Sequence, residues 1–262
     1  MVHDINPIIF SIGPISVAWY GLCYVISFII GYFFVRKNLK KKNVVISNDH
    51  YESFIFCIIL GVIIGGRFGY VLFYQLSYYL QNPLHIFYVW NGGMSFHGGM
   101  IGVIISALIF CKKNKYDFYT LADPSMPLVA IGIGIVRMAN FINGELYGKY
   151  TTLPWAVIFK RTDPLMLPRH PSQIYEAILE GFLMAILLQF ILFKTNLKGM
   201  IFWLFIGLYG VVRFLIEFIR IPDDLPIYKN GMIFGFFSMG QFFSLLMILT
   251  AGVFLFIITR KK

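Results

Sequence analysis

The chain has 262 residues, of which 58% are hydrophobic and 13% charged, and its mean hydropathy is +0.75. A soluble globular domain carries about 25% charged residues, so this composition excludes an ordinary soluble protein and indicates a polytopic membrane protein. The formal net charge of +10 does not indicate nucleic-acid binding, because the basic residues lie in short segments between apolar runs. We therefore expect one all-α integral membrane domain over residues 1–262, in contact with membrane lipid and with no nucleic-acid partner.

Apolar runs long enough to cross a bilayer occur at about seven places along the chain. The predicted spans cover residues 15–35, 53–74, 92–111, 120–142, 173–193, 200–219 and 234–259. The first run is longer than the apolar core of a signal peptide, and no basic segment precedes it, so we expect a retained span.

The distribution of lysine and arginine predicts how the spans are oriented. The loop 75–91 contains neither residue, and the loops 143–172 and 220–233 mix basic with acidic residues. The other connections and the tail are basic, through Arg36, Lys37, Lys40, Lys41, Lys42, Lys112, Lys113, Lys115, Lys194, Lys198, Arg260, Lys261 and Lys262. Since basic loops stay in the cytoplasm, the N-terminus is expected outside it and the C-terminus inside.

The longest connection, 143–172, is predicted to form a small extracytoplasmic cap or arm. Its four prolines, Pro154, Pro164, Pro168 and Pro171, exclude a regular helix. The residues 153–159 have strand-like content, so short strands are expected there.

The stretch 137–148 begins inside an apolar run and ends in this polar loop. An arginine within a membrane span is costly and usually has a partner and a task. Arg137 and Asn140 are three residues apart and share a helix face. Asn143 and Glu145 follow where the helix is expected to unwind, with side chains free to turn back on the arginine.

Polar groups in five predicted spans fall at one level of the membrane. Arg67, Arg137 and Arg213 each lie about 21 Å along a span that starts at the cytoplasmic side, which places them in the outer half of the bilayer. His97 lies about one helical turn from the outer surface in the third span, and Tyr20 lies at a similar depth in the first span. Scattered arginines that reach toward the surface are the alternative for any one position, but agreement across five spans favours a shared site.

Arg213, Glu217 and Arg220 form one stripe on the sixth span, since they are spaced at i, i+4 and i+7. Glu217 can pair with either arginine. A structural ion pair that closes the outer end of the bundle is the alternative for Glu217 and Arg220. His97, flanked by paired glycines, is a candidate base, although a lone membrane histidine also serves as an ordinary hydrogen-bonding residue.

Convergent arginines are suited to phosphate, which they bind through two parallel hydrogen bonds. At this depth the available phosphates belong to lipid head groups. The sequence has no HExxH, GxSxG or GxxxxGK motif and no aspartate cluster for metal ions, so we expect no metal and no cofactor. The residues themselves therefore predict an outer-leaflet phospholipid site.

These features resemble the bacterial prolipoprotein diacylglyceryl transferase family over nearly the whole chain. The most specific element is the stretch 137–148, and one departure is Val136, where the family usually has glycine. The other matching segments are 19–21, 92–99, 170–176 and 213–220.

The resemblance implies transfer of the diacylglyceryl group of phosphatidylglycerol to the lipobox cysteine of a prolipoprotein signal peptide, in the bacterial cytoplasmic membrane. It implies that Arg137 binds the lipid phosphate and that Arg213 stabilises the leaving phosphate, with His97 as candidate base. The remaining substrate-binding candidates are Tyr20, Asn140, Asn143, Glu145, Gly148 and Glu217. A lipid transporter or flippase that holds a phospholipid head group is the alternative function.

Overall fold

The structure is a computed structural model that describes residues 1–13, 15–89, 92–221, 232–233 and 237–260. Most of these residues are helical. The α-helices are α1 (Trp19–Lys41), α2 (Asn48–Tyr74), α3 (Leu76–Gln81), α4 (Phe96–Asn114), α5 (Phe118–Asn143), α6 (Ser172–Glu176), α7 (Met184–Lys194), α8 (Met200–Ile216) and α9 (Met239–Arg260). A 3-10 helix covers Pro83–Phe87, and a π-helix covers Ala177–Leu183 between α6 and α7.

Within the described ranges, five helical segments are long and apolar enough to cross a membrane, in agreement with an integral membrane protein. They are α1, α2, α5, the continuous segment Ser172–Lys194 and α9. The predicted span 200–219 corresponds to α8, which has 17 residues, and the predicted span 92–111 corresponds to α4, which begins four residues later. The predicted span 234–259 starts at residues 234–236, outside the described part of the chain. The count of seven spans therefore stays a prediction.

The mostly helical fold agrees with the predicted all-α class, and short strands accompany the helices. The strands are β1 (Val2–His3), β2 (Ile8–Ile12), β3 (Ile15–Ala18), β4 (Val157–Phe159), β5 (Pro168–Arg169), β6 (Met232–Ile233) and β7 (Phe237–Ser238). The residues 15–18 were assigned to the first span, but they pair with β2 in an antiparallel hairpin, so the helix begins at Trp19.

The connection 143–172 carries the strands that its composition predicts. β4 pairs in parallel with β1 at the N-terminus and antiparallel with β5, so a three-stranded sheet ties the second half of the connection to residues 2–3. Of the residues 153–159, where strands are predicted, only 157–159 form a strand, since residues 154–155 form a turn. We call residues 143–171, together with β1, the arm.

The chain divides into two compact units. Unit 1 comprises Met1–Asn38 and Ala122–Lys262, and unit 2 comprises Leu39–Leu121. The expected single domain over residues 1–262 remains a prediction.

In unit 2, α2 and α4 pack through glycines. A Cβ atom on Gly69 would lie 2.7 Å from the Cα of Gly98, and one on Gly65 would lie 2.7 Å from the Cα of Gly102. Small residues at such an interface let two helix backbones approach closely in a membrane.

In unit 1, α5, the π-helix, α7 and α8 share a core. It includes the buried side chains of Ala130, Leu188 and Ile201. Gly134 of α5 faces Gly181 of the π-helix, where a Cβ atom on Gly134 would lie 3.2 Å from the Cα of Gly181. This close approach holds the start of the π-helix against the last third of α5, where Arg137 lies.

Candidate functional site

Two arginines of unit 1 meet the same buried glutamate. The Nε atom of Arg137 lies 2.8 Å from Oε2 of Glu176, and Nη1 of Arg213 donates to Oε1 of Glu176 at 3.1 Å. Arg137 Nη2 also lies 3.6 Å from Oε2 of Glu180. Both glutamate side chains are fully buried. Arg137 and Arg213 therefore approach each other around one carboxylate, which is the arrangement that a shared phosphate site requires.

The predicted stripe on the sixth span continues this network. Nη2 of Arg213 lies 2.5 Å from Oε1 of Glu217, and Nη1 of Arg220 donates to the same oxygen at 3.3 Å. The other oxygen of Glu217 accepts from the hydroxyl of Ser238 at 2.8 Å. The expectation that Glu217 can pair with either arginine is confirmed, since it contacts both. The ion cluster consists of Arg137, Arg213, Arg220, Glu176, Glu180 and Glu217.

The π-helix explains why Glu176 and Glu180 face the arginines. Glu176 ends α6, and Glu180 lies in the wider π turn that follows. Such turns are rare and are often found at functional sites, because they shift side chains away from ordinary α-helical register. The two glutamates are four residues apart in the sequence, but their spacing does not indicate their arginine partners on α5 and α8.

The polar residues after Arg137 form a separate group. The side-chain amide of Asn140 donates to Oε1 of Glu145 at 2.7 Å, and that of Asn143 donates to the same oxygen at 3.5 Å. Gly144 has a φ of 73°, which turns the chain so that Glu145 returns to Asn140. Glu145 was expected to turn back on Arg137, and this expectation is wrong. In the described structure, the carboxylate of Glu145 accepts hydrogen bonds from the two asparagine amides and does not contact the arginine.

Gly148 lies where the arm meets the end of α8. Its N–H donates to the carbonyl of His170 at 2.8 Å, and it forms an isolated bridge with Arg220. A Cβ atom there would lie 2.6 Å from the carbonyl oxygen of Ile219. Gly148 thus permits a close backbone contact, and its predicted part in substrate binding stays a prediction.

Two tyrosines that the sequence did not single out border the ion cluster. The ring of Tyr24 lies 5.3 Å from that of Tyr20, and Tyr24 interacts electrostatically with Arg137. Tyr20 itself packs against Tyr24, and its predicted part in substrate binding stays a prediction. Tyr209 is also adjacent to Arg137 and Arg213. Its position four residues before Arg213 on α8 is a helical spacing that could have indicated it.

The arm carries its own ion pair outside the membrane spans. Arg169 donates to both carboxylate oxygens of Asp163, at 2.8 and 3.1 Å, and this bidentate contact lowers the pKa of Asp163. The side chain of Gln173 donates to the carbonyl of Glu145 at 2.6 Å, and that of Ser172 donates to Leu146 at 2.9 Å. These bonds tie the turn after Arg137 to the start of α6.

Arg67 in unit 2 is buried with backbone carbonyls as its hydrogen-bond partners. Its Nε donates to the carbonyl of Ile86 at 2.8 Å and its Nη2 to that of His85 at 2.6 Å. Its Nη1 donates to the carbonyls of Gly92 and Gly93 at 2.7 and 3.2 Å. We call this arrangement the Arg67 clasp.

No carboxylate among the described residues lies within ion-pair distance of Arg67, so the clasp retains a positive charge. The guanidinium lies 5.1 Å from the centre of the Tyr79 ring, and a cavity of about 130 Å³ lies beside it. The aromatic rings that line this cavity belong to Tyr70, Tyr78, Tyr79 and His85.

His97 is the second residue of α4, and its side chain lies outside the described part of the structure. The start of α4 is nevertheless well defined by its cap. The hydroxyl of Ser95 accepts from the N–H of Gly98 at 3.2 Å, and the N–H of Ser95 donates to the carbonyl of Gly66 at 2.8 Å. The role of His97 as a base stays a prediction.

Among the residues that the structure describes, no group of three or more histidine, cysteine, aspartate or glutamate side chains could hold a metal ion.

The family model described as "Prolipoprotein diacylglyceryl transferase" matches residues 7–258. A phosphatidylglycerol--prolipoprotein diacylglyceryl transferase of Geobacter sulfurreducens is 44% identical over 258 residues, which cover 98% of this chain and 97% of the relative. Relatives with the same name from Aliivibrio salmonicida and Bordetella avium are 44% and 43% identical. They match 94% and 98% of this chain, and 84% and 96% of their own lengths. The chain belongs to the prolipoprotein diacylglyceryl transferase family.

Proposed function

We propose that the chain transfers the diacylglyceryl group of phosphatidylglycerol to the lipobox cysteine of prolipoproteins. The relatives carry phosphatidylglycerol and prolipoprotein in their names, which supports this pair of substrates. The observation that carries the proposal is the approach of Arg137 and Arg213 to one buried carboxylate, since two arginines that hold one anion can also hold a lipid phosphate.

In the proposed reaction, the cysteine sulfur attacks the glycerol carbon that bears the phosphate. A new C–S bond forms, and the C–O bond to the phosphate breaks. Glycerol phosphate leaves with the bonding electron pair, and the thiol proton passes to a base. A free cysteine has a pKa of about 8.5, so a base or a positive field promotes formation of the attacking thiolate.

Each predicted residue has a role in this scheme. Arg137 holds the phosphate of the bound lipid, and Arg213 stabilises the charge that builds on the leaving phosphate. His97 accepts the thiol proton. The groups that orient the substrates are Tyr20, Asn140, Asn143, Glu145, Gly148 and Glu217.

The topology belongs to the same proposal. We place about seven spans in the bacterial cytoplasmic membrane, with the N-terminus and the arm outside the cytoplasm and the C-terminus inside. The absence of lysine and arginine from residues 75–91, against the basic segments after the first, third and fifth spans, supports this orientation. A C-terminal reporter fusion that is active only outside the cytoplasm would overturn it.

The test of function is a mixed-micelle assay with phosphatidylglycerol and a lipobox peptide. The expected products are a thioether-linked diacylglyceryl peptide and an equal amount of glycerol phosphate. A peptide with serine in place of the lipobox cysteine and micelles that contain only phosphatidylcholine are the matched controls, and both should give no product. Purified, folded protein that forms no thioether with the complete mixture would refute the proposal.

A further inference from the structure

Glu176 occupies the position between Arg137 and Arg213 that a phosphate would need. It is fully buried, and its two oxygens face different arginines. The arginines therefore already face one anion, the carboxylate of Glu176, and a lipid phosphate would compete with it for their N–H donors.

The charges of the ion cluster cancel among the described residues. Three arginines face three glutamates, so the cluster is neutral when all six groups are ionised. A phosphodiester brings one further negative charge into a buried site. Burial of an unpaired charge is costly, which favours release of an existing carboxylate contact over simple addition of the phosphate.

The contacts of Arg213 show which carboxylate is more readily released. Its two Nη atoms contact Glu176 at 3.1 Å and Glu217 at 2.5 Å, so a phosphate that binds Arg213 competes with these carboxylates for its donors. Glu217 is held further by the hydroxyl of Ser238 at 2.8 Å and by Arg220 at 3.3 Å. The contact of Glu176 with Arg213 is the longer of the two, and the same Glu176 oxygen lies 3.8 Å from Nε of Arg220. Glu176 is therefore the carboxylate that Arg213 releases more readily.

We propose that Glu176 is a positioning residue that serves as the internal counter-ion of Arg137 and Arg213, and that the lipid phosphate replaces it at Arg213. This inference rests on the proposed function for the identity of the lipid. Glu176 keeps the two arginines aligned while the site is empty. It also competes with bound phosphate, so it weakens the binding of substrate and speeds the release of product.

Product release is where this competition has the larger effect. Glycerol phosphate is a phosphate monoester and carries a charge of about −1.5 to −2 at pH 7, more than the diester substrate. In the proposed scheme, the ion cluster releases glycerol phosphate when Glu176 binds Arg213 again and takes the place of the phosphate. Without that carboxylate, the arginines should retain the product.

The test is Glu176→Gln, which keeps the shape and the hydrogen-bonding oxygen but removes the charge. Glycerol phosphate should bind the purified variant about tenfold more tightly than it binds the wild type, the usual contribution of one charge-assisted hydrogen bond. The KM for phosphatidylglycerol should fall, and kcat should fall as well because product release slows. A residue that only braces the helices would instead raise KM when it is changed.

Glu180→Gln is the matched control, because it removes the same charge from the cluster. Glu180 lies 3.6 Å from Arg137, and Arg213 forms its ion pairs in the described part of the chain with Glu176 and Glu217, so the effect of Glu180→Gln on glycerol phosphate affinity should be clearly smaller. If Glu176→Gln does not fold, Glu176→Asp keeps the charge but withdraws it by one methylene. Glu176→Asp should also bind glycerol phosphate more tightly than the wild type does, but by a smaller factor than Glu176→Gln.

The decisive readout is direct titration of glycerol phosphate, which does not require turnover. Tighter binding by Glu176→Gln supports the counter-ion role even if the wild type shows no transferase activity, in which case only the proposed function fails. Equal or weaker binding by the folded variant, or binding by neither protein, overturns the inference.

Discussion

Arg67 in unit 2 and Arg213 in unit 1 both lie in apolar helices, but their guanidinium groups have different partners. Arg67 donates to four backbone carbonyls and keeps its charge. Arg213 binds two carboxylates that offset its charge. Both arrangements satisfy the donors of a buried arginine, as burial requires.

The two arrangements differ in whether the partners of the arginine can be replaced by a ligand. The carbonyls around Arg67 belong to the loop that it organises, and release of the arginine would leave four partly buried acceptors without their donor. A carboxylate around Arg213 can be replaced by another anion of similar geometry, such as phosphate. The Arg67 clasp is therefore suited to holding a loop in place, and the ion cluster is suited to binding and releasing a ligand.

The largest expected effect concerns the base that we assign to unit 2. Substitution of His97 by glutamine should lower turnover by roughly 10²–10⁴-fold, the usual range for general base catalysis. Higher pH should partly restore the rate, because more of the cysteine substrate is then thiolate. The measurement is the micelle assay across a pH series. Wild-type turnover in the variant would remove His97 from the chemistry and leave the reaction to unit 1.

The Arg67 clasp can be broken by Arg67→Met, which keeps much of the side-chain volume. We expect a loss of about 3 kcal/mol in the free energy of unfolding, because four partly buried carbonyls lose their donor and a fully buried acceptor would lose roughly 1–3 kcal/mol. Arg67→Lys is the control that keeps the charge but not the planar fork, and it should recover only part of the loss. Unfolding in detergent, followed by circular dichroism, measures both. An unchanged stability in Arg67→Met would show that the clasp is dispensable.

A smaller effect is expected where α2 and α4 touch. Gly98→Ala places a methyl group against Gly69, and such overpacking costs about 1–3 kcal/mol. Gly132→Ala on α5 is the matched control, since no atom lies within 4 Å of a Cβ at that position. It should leave stability unchanged or raise it, because alanine is the better helix former by about 1 kcal/mol. Equal stability of the two variants would contradict the close helix contact.

The smallest expected effect concerns how β1 is held in the arm. His3 is buried beside Phe141 and Phe159, and this burial lowers its pKa. A base whose pKa is lowered in the folded state must stay neutral there, so the docked strand loses stability as the pH falls below about 6.5. The protection factors of the amides in β4, which correct for the pH dependence of intrinsic exchange, should therefore be lower at pH 5 than at pH 7.5. His3→Phe should remove this pH dependence, and an unchanged dependence in that variant would exclude His3 as its cause.

The sequence predicted those parts of the fold that follow from local spacing. Apolar length indicates the helices that the structure contains, and the glycines of α2 indicate a close helix contact. The stripe of Arg213, Glu217 and Arg220 predicts their mutual ion pairs, because the three share one helix face.

The parts that were missed depend on contacts between distant segments. Glu176 meets Arg137 and Arg213 only when α6, α5 and α8 are packed together. The Arg67 clasp uses backbone carbonyls, which every residue carries and no side-chain pattern reveals. Glu145 returns to Asn140 because Gly144 turns the chain, so its partner depends on one backbone angle.

The shared phosphate of Arg137 and Arg213 is tested most directly by a double-mutant cycle with Arg137→Lys and Arg213→Lys. Lysine keeps the charge but loses the fork, so the first variant should fold and bind phosphatidylglycerol poorly, and the second should bind the lipid but turn over slowly. Since both arginines act on one group, the combined loss in kcat/KM for a lipobox peptide should differ strongly from the sum of the single losses. Simple additivity, or a near-normal rate in either single variant, would contradict a shared phosphate. Loss of folded protein in detergent would instead assign the two charges to bracing the helices.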